Sequence, residues 1–144
     1  MILNVRHTGL VVKDLQASLD FYIEKLGFIV KVHANEDHTF IDTILGLDDS
    51  DLTTVKLTLN DSAMIELLDF KGNKNLVDRH LVDTGPTHMA FTVDDLDETY
   101  KTFSQDGIKF ISEPKISPNG AAKVAFCSAP EGTYIELVEM LSEP

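Results

Sequence analysis

Ile65-Glu66-Leu67 and Ile135-Glu136-Leu137 are the same three residues met twice, once toward the end of each half of the chain. In each copy a carboxylate sits between branched apolar residues. If the copies are strands, alternation puts the glutamate on one face and its neighbours on the other. Core packing accounts for the isoleucine and leucine. A glutamate centred in a strand needs a partner.

Working outward from the two copies, the halves share more than this. H-T-G-L-V-V-K-D-L at 7–15 aligns with H-M-A-F-T-V-D-D-L at 88–96, with identities at the His, the last Val, the Asp and the Leu. Such self-similarity indicates a duplicated unit. In the first half, residues 3–12 alternate as a strand and Asp14 is placed as a helix N-cap. Leu15, Leu19, Tyr22, Ile23 and Leu26 then form one helical face that Gly27 closes. Phe28–Val32 reads as a strand, and Thr53–Leu59 with Met64–Phe70 as a hairpin around Asn60-Asp61-Ser62. The intervening stretch from His33 to Leu52 breaks the pattern and is expected to be a long excursion with one helical turn.

The second half repeats the order. It has a strand at His88–Val93, a helix capped by Asp94 or Asp95, a strand at Ile108–Ile111, a loop at Pro114–Gly120, and a hairpin of Lys123–Cys127 with Tyr134–Met140. The expected class is α+β: two paired β-α-β-β-β modules, 1–70 and 87–144, joined by a polar linker at 71–86 within one domain spanning 1–144.

Alternation tests whether the polar residues of the two modules can serve one purpose. His7 shares a face with Gly9 and Val11, Glu66 with Met64 and Leu68, His88 with Ala90 and Thr92, and Glu136 with Tyr134 and Val138. The opposite faces are apolar throughout, as expected where helices pack. His7, Glu66, His88 and Glu136 therefore point away from the helices. Two imidazoles and two carboxylates suit a divalent metal, with Ni, Zn, Co, Mn and Fe(II) all compatible. A +2 ion also removes the cost of burying unpaired carboxylates.

Composition bounds the rest. The 144 residues carry 24 acidic against 12 basic side chains, a formal charge of -12. Nucleic acid and anionic membrane surfaces need a basic footprint and are excluded as expected partners. Hydrophobic content of 43% supports a core, while a mean hydropathy of -0.02 speaks against a membrane protein. The start, Met1 to His7, lacks the basic region and long apolar run of a signal peptide, and the single Cys127 cannot form an internal disulfide. A reducing, cytoplasmic compartment is expected. Cys127 reads as a small core residue, and His33 and His80 as solvated loop side chains. His38 and Phe40, in the long excursion, are candidates to reach the site, and Lys74, Arg79, Lys115 and Lys123 are the cations considered for an anionic tail.

These motifs resemble the vicinal-oxygen-chelate superfamily, whose members include glyoxalase I, methylmalonyl-coenzyme A epimerase, extradiol dioxygenases and fosfomycin-resistance enzymes. The resemblance runs through H-T-G-L-V-V-K-D-L-Q-A-S-L-D-F-Y, T-H-M-A-F-T-V-D-D-L and E-G-T-Y-I-E-L-V-E, and covers nearly the whole chain. It implies a curved mixed sheet around a metal held by His7, Glu66, His88 and Glu136. The complete quartet is most similar to bacterial glyoxalase I, a metal-dependent lyase or isomerase. There the implied reaction moves a proton beside a metal-bound carbonyl, through an enediolate, to convert a glutathione hemithioacetal into a thioester. Glu136 would be the base and Glu66 the candidate on the opposite face. That family usually places an Arg four positions after its first ligand and an Asn four after its second, both for glutathione. Val11 and Phe70 stand there in this chain, and an apolar pair does not replace charge-assisted recognition of a carboxylate.

The resemblance leaves other activities open. An epimerase-like reaction is supported by I-E-L-L-D-F at 65–70 and A-A-K-V-A-F at 121–126, although that family commonly has Gln where Glu66 stands. An extradiol-type dioxygenase would use only His7, His88 and Glu136, as a two-His, one-carboxylate set. A non-catalytic small-molecule binder is the remaining class. Relatives of this size generally pair, so a homodimer acting on a small molecule is expected.

Overall fold

The glutamate-bearing strands occupy the same place in two sheets of identical topology. The computed structural model describes residues 1–142, and the expected second module therefore includes Glu143 and Pro144, which lie outside the described residues. The chain divides after Val77 into two compact units. The first unit runs β1 (Thr8–Val11), α1 (Leu15–Asp20) continued by a π-helical turn (Phe21–Lys25), β2 (Ile29–Asn35), α2 (His38–Leu45), β3 (Thr53–Leu59) and β4 (Ala63–Asp69). Its sheet is ordered β1-β4-β3-β2. β1 lies parallel to β4, and the other pairs are antiparallel.

The second unit runs β5 (His88–Thr92), α3 (Leu96–Gln105), β6 (Lys115–Ile116), β7 (Ala122–Ser128) and β8 (Tyr134–Met140). Its order, β5-β8-β7-β6, reproduces the first, again with the first strand parallel to the last. A parallel pair needs a crossover, and the helix after each first strand supplies it. The duplicated β-α-β-β-β order is thus present as two four-stranded mixed sheets.

Burial follows the alternation read from the sequence. Ile65, Leu67, Ile135 and Leu137 are buried, whereas Glu66 and Glu136 stay partly accessible on the opposite face. Asp14 and Asp95 cap their helices by accepting from the backbone N–H of Ala17 and Glu98, and Gly27 and Gly107 take positive φ at the helix ends.

Four local expectations change. The first strand is shorter than 3–12: pairing with β4 begins at Thr8 opposite Ile65, so His7 stands just before it. In the first helix the buried residues are Ser18, Phe21 and Tyr22. Tyr22 of the expected face is among them, whereas Leu15, Leu19, Ile23 and Leu26 are half-buried. The stretch 33–52 is better ordered than expected. β2 extends to Asn35, and α2 is a two-turn helix capped by Asp37, which accepts from the N–H of Phe40, and closed by left-handed Gly46. In the second unit the expected strand at Ile108–Ile111 makes only a bridge between Phe110 and Cys127, while β6 lies inside the expected loop. Phe110 is held by ring packing instead, 4.8 Å from Tyr100 and 6.5 Å from Phe103 between centroids.

Candidate metal centre

Each unit brings one histidine to one glutamate through the same register. In the first, Gly9 of β1 lies opposite Glu66; in the second, Ala90 of β5 lies opposite Glu136. The histidine stands two residues before the small residue in both. A small side chain beside the glutamate leaves room for an imidazole to reach the carboxylate. His7 Nε2 lies 3.8 Å from Glu66 Oε1, and His88 Nε2 lies 3.5 Å from Glu136 Oε2.

These separations exceed the 2.7–3.2 Å of a nitrogen–oxygen hydrogen bond. They are close to the roughly 3.4 Å between two ligands bound at about 2.1 Å to one tetrahedral ion. The donor types and spacing therefore fit a divalent cation, with two ligands available in each unit. Among the described residues, no group of three or more His, Cys, Asp or Glu side chains is arranged to hold a metal ion.

The second nitrogen of each ring separates the two pairs. His88 Nδ1 lies 3.2 Å from the Thr87 hydroxyl, which turns Nε2 toward Glu136. His88 also meets the ring of Phe126 edge-on at 5.5 Å. His7 Nδ1 is buried without a hydrogen-bond partner, an arrangement that costs about 1–3 kcal/mol and that folds keep where a site requires it.

The antiparallel neighbours of the glutamates differ as well. Phe126 lies opposite Glu136, but Lys56 lies opposite Glu66. Its Nζ is 3.4 Å from Glu66 Oε2. Glu66 thus has an imidazole at one oxygen and an ammonium at the other. The sequence reading missed Lys56, because only the β3–β4 register shows that it faces the glutamate.

The cations considered from sequence have other tasks. Lys74 binds Asp69 at 2.8 Å and the carbonyls of Val12 and Lys13, pinning the exit of β1. Burial raises the Asp69 carboxyl, but the Lys74 hydrogen bond and nearby lysine charges outweigh it and leave the group below its usual value. Lys123 joins Asp97 and Glu139 at 2.7 and 3.4 Å, and Glu139 in turn accepts from the Leu96 N–H at the start of α3. Arg79 donates to the Pro86 carbonyl, and its own carbonyl accepts from the Tyr134 hydroxyl. Lys115 is exposed on β6.

Of the remaining candidates, Val11 lies opposite Leu68, two pairs beyond Gly9 and Glu66, and is 52% exposed. Phe70 directly follows β4. His38 and Phe40 lie in the first turn of α2. His38 Nδ1 faces Asp42 at 4.0 Å on its own helix, and Phe40 is 58% exposed. Cys127 is fully buried, and desolvation raises its thiol to about 12, consistent with a core residue. No helix among the described residues is long and apolar enough to cross a membrane.

Known proteins share this arrangement at the level of fold and sequence. The chain is similar to the lactoylglutathione lyase of Escherichia coli O157:H7, at 30% identity over 134 residues, covering 92% of this chain and 90% of that protein. A probable lactoylglutathione lyase of Vibrio cholerae is 29% identical over 138 residues, with coverage of 94% and 89%. A glyoxalase family protein from Bacillus cereus superposes with a TM-score of 0.87 at 22% identity, over 99% of this chain and 97% of that one. Trypanothione-dependent glyoxalase I of Leishmania major gives 0.71 at 26% identity, with coverage of 96% and 87%. The Glyoxalase/Bleomycin resistance protein/Dioxygenase superfamily model matches residues 4–137. With its duplicated β-α-β-β-β units, the chain belongs to that superfamily.

Proposed function

We propose that the chain is a divalent-metal-dependent lyase or isomerase of the glyoxalase I type, acting by proton transfer beside a carbonyl of a small-molecule substrate. The observation that carries this reading is the pair of matched His–Glu contacts, His7 with Glu66 and His88 with Glu136, one in each unit. Relatives named lactoylglutathione lyase support it.

In this reading each His–Glu pair supplies two ligands to a divalent ion. That ion would supply Lewis-acid stabilisation of negative charge developing on the substrate oxygens. Glu136 is the residue that takes a proton from one carbon and returns it to the next. It has no lysine opposite it in the sheet, so its carboxylate is the less encumbered of the two. Thr87 holds the His88 ring in place beside it. Val11 and Phe70 give the substrate wall of the first unit an apolar character where a glutathione carboxylate would need cations. The substrate is therefore a hemithioacetal or acyl thioester with a less charged tail than glutathione. A cytoplasmic homodimer completes the reading, and sedimentation tests the oligomeric state.

Metal analysis of protein purified without chelator, followed by titration of Glu66→Gln and Glu136→Gln, tests the ligand set. Both variants should bind metal more weakly, and unchanged affinity in both would sink the reading. Deuterium uptake from solvent into a panel of hemithioacetals and acyl thioesters tests the proton transfer.

A second reading has one observation in its favour. Lys56 already engages Glu66, which leaves His7, His88 and Glu136 as the two-His, one-carboxylate set of an extradiol-type dioxygenase. Weakened metal binding in Glu136→Gln alone, with oxygen uptake on catechols, would select it.

A further inference from the structure

We propose that Lys56 determines substrate specificity: it gives up Glu66 when a metal binds and then takes an anionic oxygen of the substrate. This rests on Glu66 being a metal ligand, as above. Lys56 and Glu66 pair across adjacent strands at 3.4 Å, with side chains only 25% and 14% exposed. A carboxylate cannot give its full charge both to this ammonium and to a divalent ion. Metal binding at Glu66 therefore weakens the ion pair and leaves Lys56 a partly buried cation short of its anion, which is a costly state. An anionic group arriving with the substrate relieves it.

The surroundings favour that exchange over release of the lysine into solvent. Val32 lies opposite Lys56 on β2, and Thr54 and Thr58, which flank it on the same strand face, are both buried. Thr58 Oγ1 is buried without a hydrogen-bond partner, so a further polar group lies along that face. The duplicate unit has Phe126 at the corresponding place, so the repeat itself does not require a cation there. Lys74, Lys123 and Arg79 are committed to structural contacts and leave Lys56 as the cation set beside a site glutamate. The inference gives the substrate a carboxylate or similar anionic oxygen close to its reacting carbonyl. That is a different position from the tail facing Val11 and Phe70.

Calorimetry of Ni²⁺ binding to the wild type, Lys56→Met, Lys56→Arg and Glu66→Gln forms the first arm. Removing a competing cation should tighten Ni²⁺ binding about tenfold in Lys56→Met, while Lys56→Arg stays near wild type. The second arm compares glycolate with its neutral amide, glycolamide, on the Ni²⁺-loaded proteins. The preference for glycolate should fall about tenfold in Lys56→Met and persist in Lys56→Arg. Equal Ni²⁺ affinity in wild type and Lys56→Met, or an unchanged glycolate preference, overturns the proposal. If Ni²⁺ binding weakens in Glu66→Gln while Lys56→Met changes nothing, the ligand set stands and the proposal alone falls. If Ni²⁺ binds none of the proteins, both fall together.

Discussion

Glu66→Gln and Glu136→Gln should have unequal effects on the stability of the metal-free protein, although they remove the same group from the same place in two copies of one unit. Glu66 lies 3.4 Å from Lys56 Nζ, and both side chains are mostly buried. The attraction at that distance is about 5 kcal/mol in a medium of effective dielectric near 20, and about 1 kcal/mol in bulk water. Desolvation of the pair offsets much of the larger figure. The amide keeps the volume, removes the charge and leaves the Lys56 ammonium partly buried. A net loss of about 1–2 kcal/mol follows, which lowers the melting temperature of a domain this size by roughly 3–6 °C. Among the described residues, the ion-pair partner of Glu136 is His88 alone, with Phe126 on the other side. Its amide should shift stability by no more than about 0.5 kcal/mol. Thermal melts followed by circular dichroism in excess chelator measure the difference, and added salt should narrow it. Adding Lys56→Met to Glu66→Gln should recover most of the loss, because the stranded cation is gone. Refutation is direct: a Glu136→Gln variant that melts at or below Glu66→Gln would mean that the Lys56–Glu66 pair carries no net stability.

Other parts of the molecule give checks of their own. Thr87→Val frees the His88 ring and should weaken metal binding about tenfold with little change in melting temperature, as read by calorimetry. Asp95→Ala removes the side-chain acceptor for the Glu98 N–H and should cost about 1 kcal/mol, measured by urea unfolding. Cys127 titrates near 9.0 when exposed but only at about 12 when folded, because burial disfavours the thiolate. Between those values the unfolded chain loses a proton that the folded chain keeps. Stability from this group is therefore intact below pH 9.0 and declines as pH rises toward about 12. A Cys127→Ala variant should show a flatter alkaline limb.

What could be read in the sequence was whatever one strand or one helix end decides by itself. Ile65 and Leu67 flank Glu66 with period two, so the buried and accessible faces follow from the three residues alone. Asp14 and Asp95, with Gly27 and Gly107, mark helix ends through chemistry confined to a single turn. The misses lie where a second element decides. In α2 the caps Asp37 and Gly46 are both present in the sequence, but Ile41 is buried while Phe40, Ile44 and Leu45 are exposed. Phe40, Ile41, Ile44 and Leu45 do share one helical face, but the helix spans only eight residues between polar stretches, too few for periodicity to separate it from a loop with one helical turn. β6 exists because Lys115 meets Val124 and Ile116 meets Lys123, a register that two residues cannot announce. Residues 108–111 have the apolar character of a strand but spend it on packing Phe110 against α3.

Lys56 belongs with the misses, and it distinguishes two otherwise matching His–Glu pairs. Duplication yields two His–Glu pairs with the same register, a small neighbour in each (Gly9 and Ala90) and the same accessible face. Two identical pairs have no basis for giving their carboxylates different jobs. The sheet position across from each glutamate breaks that equivalence: an ammonium lies 3.4 Å from Glu66, while Phe126 stands across from Glu136, whose ion-pair partner among the described residues is His88. A carboxylate already matched to a fixed cation suits a holding role. A carboxylate beside an aromatic edge and a hydrogen-bonded imidazole suits one that must gain and lose a proton. If that division is correct, exchanging the two positions, with Lys56→Phe and Phe126→Lys in one chain, should move the more activity-sensitive glutamate from Glu136 to Glu66. Solvent deuterium exchange on a turned-over substrate is the measurement. A doubly exchanged protein in which Glu136→Gln remains the more damaging change would show that the asymmetry is set elsewhere than at these two cross-strand neighbours.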